Sequence, residues 1–409
     1  MNLLDKIFKK ELKPITKTKL ELTGNNVIFT SWNGNAYDND IFRGGVDAIA
    51  RNCGKLKISH VIYGSDGKKM GDAYLNGLLQ VQPNKYMTAY DMIYKMTTHL
   101  YLYNNAFTYV QRDDKGKVIA LLPIRVLNAE FLTDENGQIY CKFIFINGKE
   151  YTLPYDDIIH IKRFLNNNDM LGENNEALTP ALELAHTQNE GIVNGIKTGV
   201  TLRGILKFTQ ILSAEKLKEQ KDNFIADYMA LENNGGVVAL DEKADYKPIE
   251  QKPVLVDGSQ LKATKEKIYS YLGITENIVN SNYNENEWAS FYESTIEPIA
   301  LQIGLEFTRK IFNAKERKYG NSITVESGRL QFTSNESKIN LLKELMPMGL
   351  FTVNQALEIL NLPLLNGEDG ERRIQSLNYV DQKIVNEYQL KNASKNNIDN
   401  KVKEKEGEK

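Results

Sequence analysis

The sequence predicts an α+β fold in which an antiparallel-sheet half gives way to a helical half interrupted by a small α/β module. Three observations carry this. Between Lys57 and Lys162, β-branched and aromatic runs are separated by glycine-bearing turns. After Lys162 the apolar period shifts from two towards about 3.6. Residues 203–252 then read as strand, helix and two strands, with a helix on either side.

Taken in order, a helix over about 39–52 comes first, with Asp38 and Asp40 placed where a helix start favours negative charge. The sheet turns are Gly64-Ser65-Asp66-Gly67, Asp113-Asp114-Lys115-Gly116, Asp134-Glu135-Asn136-Gly137 and Asn147-Gly148. The last predicts a two-residue type I′ hairpin, because Asn and Gly tolerate positive φ. Thr88 with Asp91 reads as a capping box, and Ile93, Met96, Leu100 and Tyr103 mark the buried face of the helix it opens. Thr179-Pro180 reads as an N-cap followed by proline at the first helical position, opening a helix to about Lys197. The inserted module has strands at 204–208, 237–240 and 246–249 and a helix from Ser213 to about Leu231. A second long helix starts near Asp257 or Ser259 and carries Leu261, Ile268, Tyr271 and Leu272. After the polar stretch 277–286, a helix over about 287–314 contains Pro298, which should kink or bound it. A strand over 324–332 and helices over 336–346 and 352–360 follow, the last opened by the capping box Thr352/Gln355. Residues 389–409 hold almost no apolar side chains and are expected to be disordered.

The 409 residues with 41% apolar side chains can bury several units of core without disulfide or metal support. Cys53 and Cys141 lie far apart in sequence, so neither a disulfide framework nor a thiolate zinc site is expected, which fits a reducing cytoplasm. The net charge of −2 argues against a broad basic face that grips nucleic acid. The best candidate for a membrane span, Val118 to Leu127, is broken by Pro123 and Arg125. Leu3, Leu4, Ile7, Phe8 and Leu12, with lysines around them, read as a short docking helix rather than a signal peptide or membrane anchor.

The familiar catalytic cassettes are absent: no phosphate-binding glycine loop, no H-E-x-x-H and no G-x-S-x-G. His160, in Asp157-Ile158-Ile159-His160-Ile161-Lys162, lies on a strand with no nucleophile beside it, and a hydrogen-bonded structural histidine is the better reading. Asp38 and Asp40 fit capping better than Mg²⁺ binding. Lys262, Lys265 and Lys267 form a modest basic stretch, and the Asn-rich segment around Tyr283 is by itself a polar spacer.

Several segments, in order, resemble the HK97-like portal proteins of tailed bacteriophages. Asp38-Asn39-Asp40-Ile41 with Val46-Asp47-Ala48-Ile49-Ala50-Arg51-Asn52 resembles that family's first helix. Gln82-Pro83-Asn84 with Met87-Thr88-Ala89-Tyr90 is similar to its RPN-x-x-MT turn, and Leu102-Tyr103-Asn104-Asn105-Ala106-Phe107 to its L-x-GNAY entry into a strand. The strand at 157–162, the stretch 199–206, and Leu272-Gly273-Ile274 through Thr295-Ile296-Glu297-Pro298 also match, so that the resemblance spans about 1–388. Asn104 stands where the family has Gly, and the Pro expected after Gly273-Ile274 is missing.

The resemblance implies a portal-type fold: a wing at 1–177 and 288–333, stem helices at 178–202 and 253–275, a clip at 203–252, a tunnel loop at 276–287 and a crown at 334–388. It implies no enzymatic activity, cofactor or metal. The expected partners are further copies of the chain in a dodecamer, the large terminase, major capsid and scaffolding proteins, a head-tail adaptor and the double-stranded DNA in transit, with no membrane. The expected location is the portal vertex of the virion, after assembly in the host cytoplasm. Twelve helices at about 9.5 Å spacing lie on a circle roughly 36 Å across, leaving about 25 Å after subtracting one helix diameter, enough for a duplex about 20 Å wide. Twelve copies carry about −24, which suits a conduit that must not hold its cargo. On this reading Lys262, Lys265, Asn280, Asn282, Tyr283, Asn284 and Asn286 are the candidate DNA-channel contacts. Another capsid or adaptor protein stays open if the insert packs into the wing; a metal-dependent phosphodiester enzyme would need a carboxylate or histidine cluster that the sequence does not show.

Overall fold

The computed structural model describes residues 21–22, 27–28, 36–65, 67–200, 204–208, 213–228, 244–248, 257–326, 335–360 and 362–375. The expected N-terminal docking helix, the strand at 237–240 and the tail at 389–409 lie outside them. The chain divides into two compact units, 1–326 and 327–409.

In the first unit two short strands, Glu21–Leu22 and Val27–Ile28, which pair antiparallel with the strand Asn128–Thr133, and a 3₁₀ turn, Ala36–Asp38, precede α1 (Asp40–Cys53), whose N-cap Asn39 accepts from the Phe42 N–H while Asp40 sits in the first turn. Strands β1 (Lys57–Gly64) and β2 (Gly67–Met70) form a hairpin. Helix α2 (Ala73–Gln80), which sequence periodicity did not mark, is opened by Asp72 and buries only Leu75, Asn76 and Leu79. Helix α3 (Ala89–Tyr103) has the expected capping box: Thr88 Oγ1 accepts from Asp91 N–H, and the Asp91 carboxylate accepts from Thr88 N–H.

Next come β3 (Asn105–Arg112), β4 (Val118–Ile124), β5 (Asn128–Thr133), β6 (Ile139–Ile144), β7 (Glu150–Pro154) and β8 (Ile158–Lys162). All pairs are antiparallel, in one sheet ordered β8-β3-β4 and another in which β5, β6 and β7 are successive neighbours. Pro123 is tolerated because β4 is an edge strand, where a missing N–H breaks no ladder. The Asn147-Gly148 turn differs from expectation. Gly148 N–H bonds to Phe145 C=O, Phe145 N–H bonds to Lys149 C=O, and Gly148 alone of the pair has positive φ, at 74°. This is a three-residue loop closed by a glycine bulge, and the β3–β4 and β5–β6 turns repeat it at Gly116 and Gly137. Asp113 and Asp134 fix those two turns by accepting two backbone N–H groups each, an advantage a type I′ link would forgo.

A 3₁₀ turn, Glu176–Leu178, leads into α4 (Thr179–Val200). Thr179 is therefore already helical, with φ −49°, and is not the expected N-cap. The insert contains β9 (Gly204–Phe208), α5 (Ala214–Tyr228) and β10 (Ala244–Pro248). The two strands pair antiparallel with one another and, among the described residues, with no strand of the other sheets. Helix α6 (Gly258–Leu272) starts at the Asp257 cap and stops at Gly273, whose φ of 77° and Ile274 N–H bond to Tyr269 C=O end it in the left-handed manner.

Helix α7 (Glu285–Phe291) passes through a π turn, Tyr292–Ile296, into α8 (Glu297–Ile311). The π turn ends two residues before Pro298 and absorbs the disruption that a proline lacking an N–H imposes. A short helix α9 (Ala314–Lys318) precedes β11 (Asn321–Glu326), which pairs with β1 across more than 250 residues of sequence. The chain after the insert thus returns to the N-terminal sheet. One core joins α1, α3 and α8 through Phe42, Ile49, Met96 and Phe307; another fills the sheets around Phe107, Phe131 and Phe143.

In the second unit, α10 (Asn335–Leu345), β12 (Met348–Thr352), α11 (Val353–Ile359) and β13 (Arg373–Gln375) are described. The Thr352/Gln355 capping box forms as expected; the β12–β13 pairing was not legible from periodicity.

Candidate functional site

Helices α4 and α6 flank the insert and pack against one another, with α1 behind α6. At 22 and 15 residues they run about 33 and about 22 Å. Ala181 and Ala185 on α4 and Thr264 and Ile268 on α6 are buried. Gly45 on α1 permits the close approach, since a Cβ there would lie 2.5 Å from Leu272 Cδ1.

The segment after α6 is a tied loop. A one-turn helix, Glu276–Val279, is followed by a turn in which Ser281 has φ 58°, and α7 begins at Glu285. Lys265 on α6 donates to Glu276 Oε1 at 2.5 Å. This hydrogen bond raises the Lys265 pKa and lowers that of Glu276, so both stay charged in the neutral range. From the other side, Arg51 on α1 donates to Val279 C=O at 3.1 Å and to Ser281 Oγ at 3.4 Å. Asn277 donates to Glu287 Oε1 at 2.7 Å, and the hydrogen bonds from Asn277 and from the Asn284 backbone hold the Glu287 carboxyl below its usual range.

The candidate contacts divide on this geometry. Lys262 is exposed and faces Glu266 at 3.8 Å. Lys265 is half-buried and committed to Glu276, so it positions the loop rather than standing open to solvent. Asn280, Asn282, Tyr283, Asn284 and Asn286 are all exposed. Asn284 is the N-cap of α7, in a reciprocal capping box with Glu287, and Tyr283 stacks on Trp288 with ring centroids 5.1 Å apart. The structure thus gathers the loop residues on one segment but gives Lys265, Tyr283 and Asn284 structural partners of their own. Arg51 was missed as a loop clamp; it is 228 residues from Val279 in sequence, and only its place in the first-helix motif singled it out.

His160 is fully buried. Asn105 Nδ2 is committed to the carbonyls of Tyr103 and Gly172, so Asn105 Oδ1 accepts from His160 Nε2 at 3.0 Å, and Nδ1 faces the Tyr155 hydroxyl at 3.3 Å. Burial, then Lys162, Lys310 and Arg309, push its pKa well below the ordinary value. It is a neutral structural histidine, as its sequence context suggests. Among the described residues no group of three or more His, Cys, Asp or Glu is placed to hold a metal ion. No described helix is long and apolar enough to cross a membrane. Burial also raises the thiol pKa of Cys53, to about 12, and that of Cys141.

The sequence model of the phage portal protein family matches residues 41–361, running through α4, the insert and α6. The chain belongs to that family. The probable portal proteins of Lactococcus phages p2 and SK1 are each 23% identical over 197 residues, covering 46% of this chain and 52% of theirs. The chain thus spans about half the length of those curated relatives. The portal protein of Enterobacteria phage HK97 is 24% identical over 318 residues, covering 72% of this chain and 71% of its own. Among solved structures, a chain from the neck of a native gene transfer agent particle, computed with C12 symmetry, superposes with a TM-score of 0.57 at 14% identity, covering 80% of this chain and 92% of that one. A chain from the virion of a native gene transfer agent particle gives 0.58 at 15%, with the same coverages. At such identities the likeness is one of fold.

Two departures from the portal pattern have a structural account. Asn104 takes the left-handed conformation, φ 53°, in place of the family's glycine, and its Nδ2 donates to Glu173 C=O and Asn175 Oδ1. The proline missing after Gly273-Ile274 is not needed to end α6, because Gly273 already does so.

Proposed function

We propose that this portal-family chain forms a dodecameric ring at one capsid vertex, through which double-stranded DNA is packaged and ejected. The observation that carries the reading is the family match over residues 41–361, a range that takes in α1, both flanking helices and their insert. On this reading 1–177 and 288–333 are the wing, 178–202 and 253–275 the stem, 203–252 the clip, 276–287 the tunnel loop and 334–388 the crown. The clip would meet the large terminase and later the head-tail adaptor; major capsid and scaffolding proteins would surround the wing. No catalytic role is proposed; a separate ATP-driven motor would supply the work.

Physical chemistry supports a conduit. A ring of twelve α6-like helices has an opening of about 25 Å, just wider than a duplex. A net charge of −2 per chain adds no overall counterion-release affinity for the cargo. Exposed amides at Asn280, Asn282 and Asn286 would offer neutral, exchangeable hydrogen bonds to a passing backbone, and Lys262, shadowed by Glu266, a weak local attraction. Lys265, Tyr283 and Asn284 would act by holding the loop in place.

Two-dimensional class averages of the purified protein test this directly. Closed rings with a central hole are expected. Lone globules at assembly concentrations, or ATP or phosphodiester hydrolysis by the pure protein, would overturn it.

A further inference from the structure

Where β8 leaves the sheet, beside the end of α6 and the π turn before Pro298, lies a cavity of about 310 Å³. Its lining includes Tyr101, Lys162, Arg163, Tyr271, Ser294 and Gln302, and no Asp or Glu. The Arg163 guanidinium lies 3.8 Å from the Tyr101 ring centre and 4.7 Å from that of Phe164. Among the described residues it makes no hydrogen bond and no ion pair, and its buried Nη1 has no acceptor. Burial lowers its pKa, and only the phenols of Tyr101 and Tyr271 pull the other way.

Three further features converge here. Phe164 holds φ 51°, a conformation an aromatic residue adopts only when its surroundings impose it. Its ring packs 5.5 Å from that of Tyr271. The wall opposite is the π turn, which displays Ser294 and Thr295. A paired exchange, Lys162 N–H to Gln302 Oε1 and Gln302 Nε2 to Lys162 C=O, fixes the strand exit to α8. The pocket is thus firmly built around a cation that lacks its anion.

We propose that Arg163 is completed by an aspartate or glutamate side chain from a neighbouring copy of this chain, which enters the pocket when copies assemble. A guanidinium packed against two aromatic rings and left without an acceptor is best completed by a planar, bidentate one, which a carboxylate supplies. The surroundings favour protein over nucleic acid: Phe164 at the pocket is 44% exposed, and Leu165 beside it in sequence and Leu301 and Leu305 on α8 are 54, 63 and 63% exposed. A ring interface joins unlike faces, so a pocket on one copy meets a different surface of the next. This inference rests on the ring reading of the previous subsection.

The test uses the full-length protein. Arg163→Gln should lower the resistance of rings to dilution by about tenfold or more, read by mass photometry, with the circular dichroism of the subunit unchanged. Arg163→Lys, treated with a zero-length carbodiimide, should give covalent oligomers whose cross-linked peptides join Lys at 163 to an Asp or Glu of another copy. Arg163→Gln rings as durable as wild type, cross-links confined within one chain, or no cross-link from that position would each overturn the proposal while leaving the ring reading intact. An Arg163-dependent rise in ring melting temperature with inorganic phosphate would overturn it in favour of a free anion. Wild-type protein that forms no rings would remove both.

Discussion

The sheets around Phe107 and the loop 276–284 both depend on polar side chains, yet they use them in opposite ways. In the sheets, His160 is stacked 4.2 Å from Phe107 and enclosed by Asn105 and Tyr155, away from water. In the loop, Lys265, Glu276, Asn277 and Glu287 meet at the surface, where water competes for every bond. A buried polar group is expensive to unpair, so the first arrangement fixes a frame. A surface pair costs little to break, so the second holds a loop in place while leaving it free to yield. The proposed conduit would call for both: a frame that keeps its shape, and a loop that can yield.

The largest effect should come from the frame. Phe307 is fully buried where α8 packs into the main core. Phe307→Ala should cost about 3–5 kcal/mol, read as a lowered urea midpoint with an unchanged slope. A cost near that of a surface substitution would erase the contrast between frame and loop.

The next effect is a pH dependence that only the frame should show. His160 and His99 both have folded pKa values below the ordinary 6.5, His99 at about 3, with burial the leading cause in each. Below pH 6.5 the unfolded chain binds protons that the folded chain refuses, so stability falls as pH falls. Each histidine contributes a slope of up to about 1.4 kcal/mol per pH unit in that window. Urea midpoints between about pH 7 and 5 should show the decline, and His160→Gln should flatten it by roughly half. A flat profile would mean that the two rings are solvated.

Asn104 sharpens the comparison at a turn. Asn104→Ala loses both the side-chain bonds to Glu173 and Asn175 and the tolerance for positive φ, and should cost about 2 kcal/mol. Asn104→Gly keeps the backbone freedom and should cost less. If Gly costs as much as Ala, the lost bonds and not the positive φ carry the effect.

These contrasts also explain what the sequence made legible. Caps need only local spacing, so Thr88/Asp91 and Thr352/Gln355 announced their helices correctly, and of the two starts open for α6, Asp257 and Ser259, the cap is Asp257. Eight residues with few buried positions gave α2 no periodic signal. The glycine-bulge turns at Gly116, Gly137 and Gly148 share their residue types with two-residue links, and the pattern cannot separate them. Tertiary sites were hidden for a different reason. Arg51 reaches Val279, and Arg163 shares a pocket with Tyr101, Tyr271 and Ser294, through folding that brings distant segments together. The exposed asparagines of 276–287 were visible as a polar run, but that Asn284 caps a helix and Lys265 holds Glu276 could be read only from coordinates.

The smallest expected effect probes the loop's side of the contrast. Lys265→Ala removes the Glu276 partner but leaves the Arg51 bonds to Val279 and Ser281, so global stability should fall by only about 0.2–1 kcal/mol. Local opening should respond where the global midpoint barely does: amide exchange across 276–284 should quicken by up to about fivefold, with the core strands unchanged. Adding Arg51→Ala should quicken it further, because the two clamps grip the same short segment from α6 and α1. Exchange in 276–284 that stays slow in the double variant would mean that the packing of Ile278 and the Tyr283–Trp288 stack hold the loop by themselves, making it part of the frame after all.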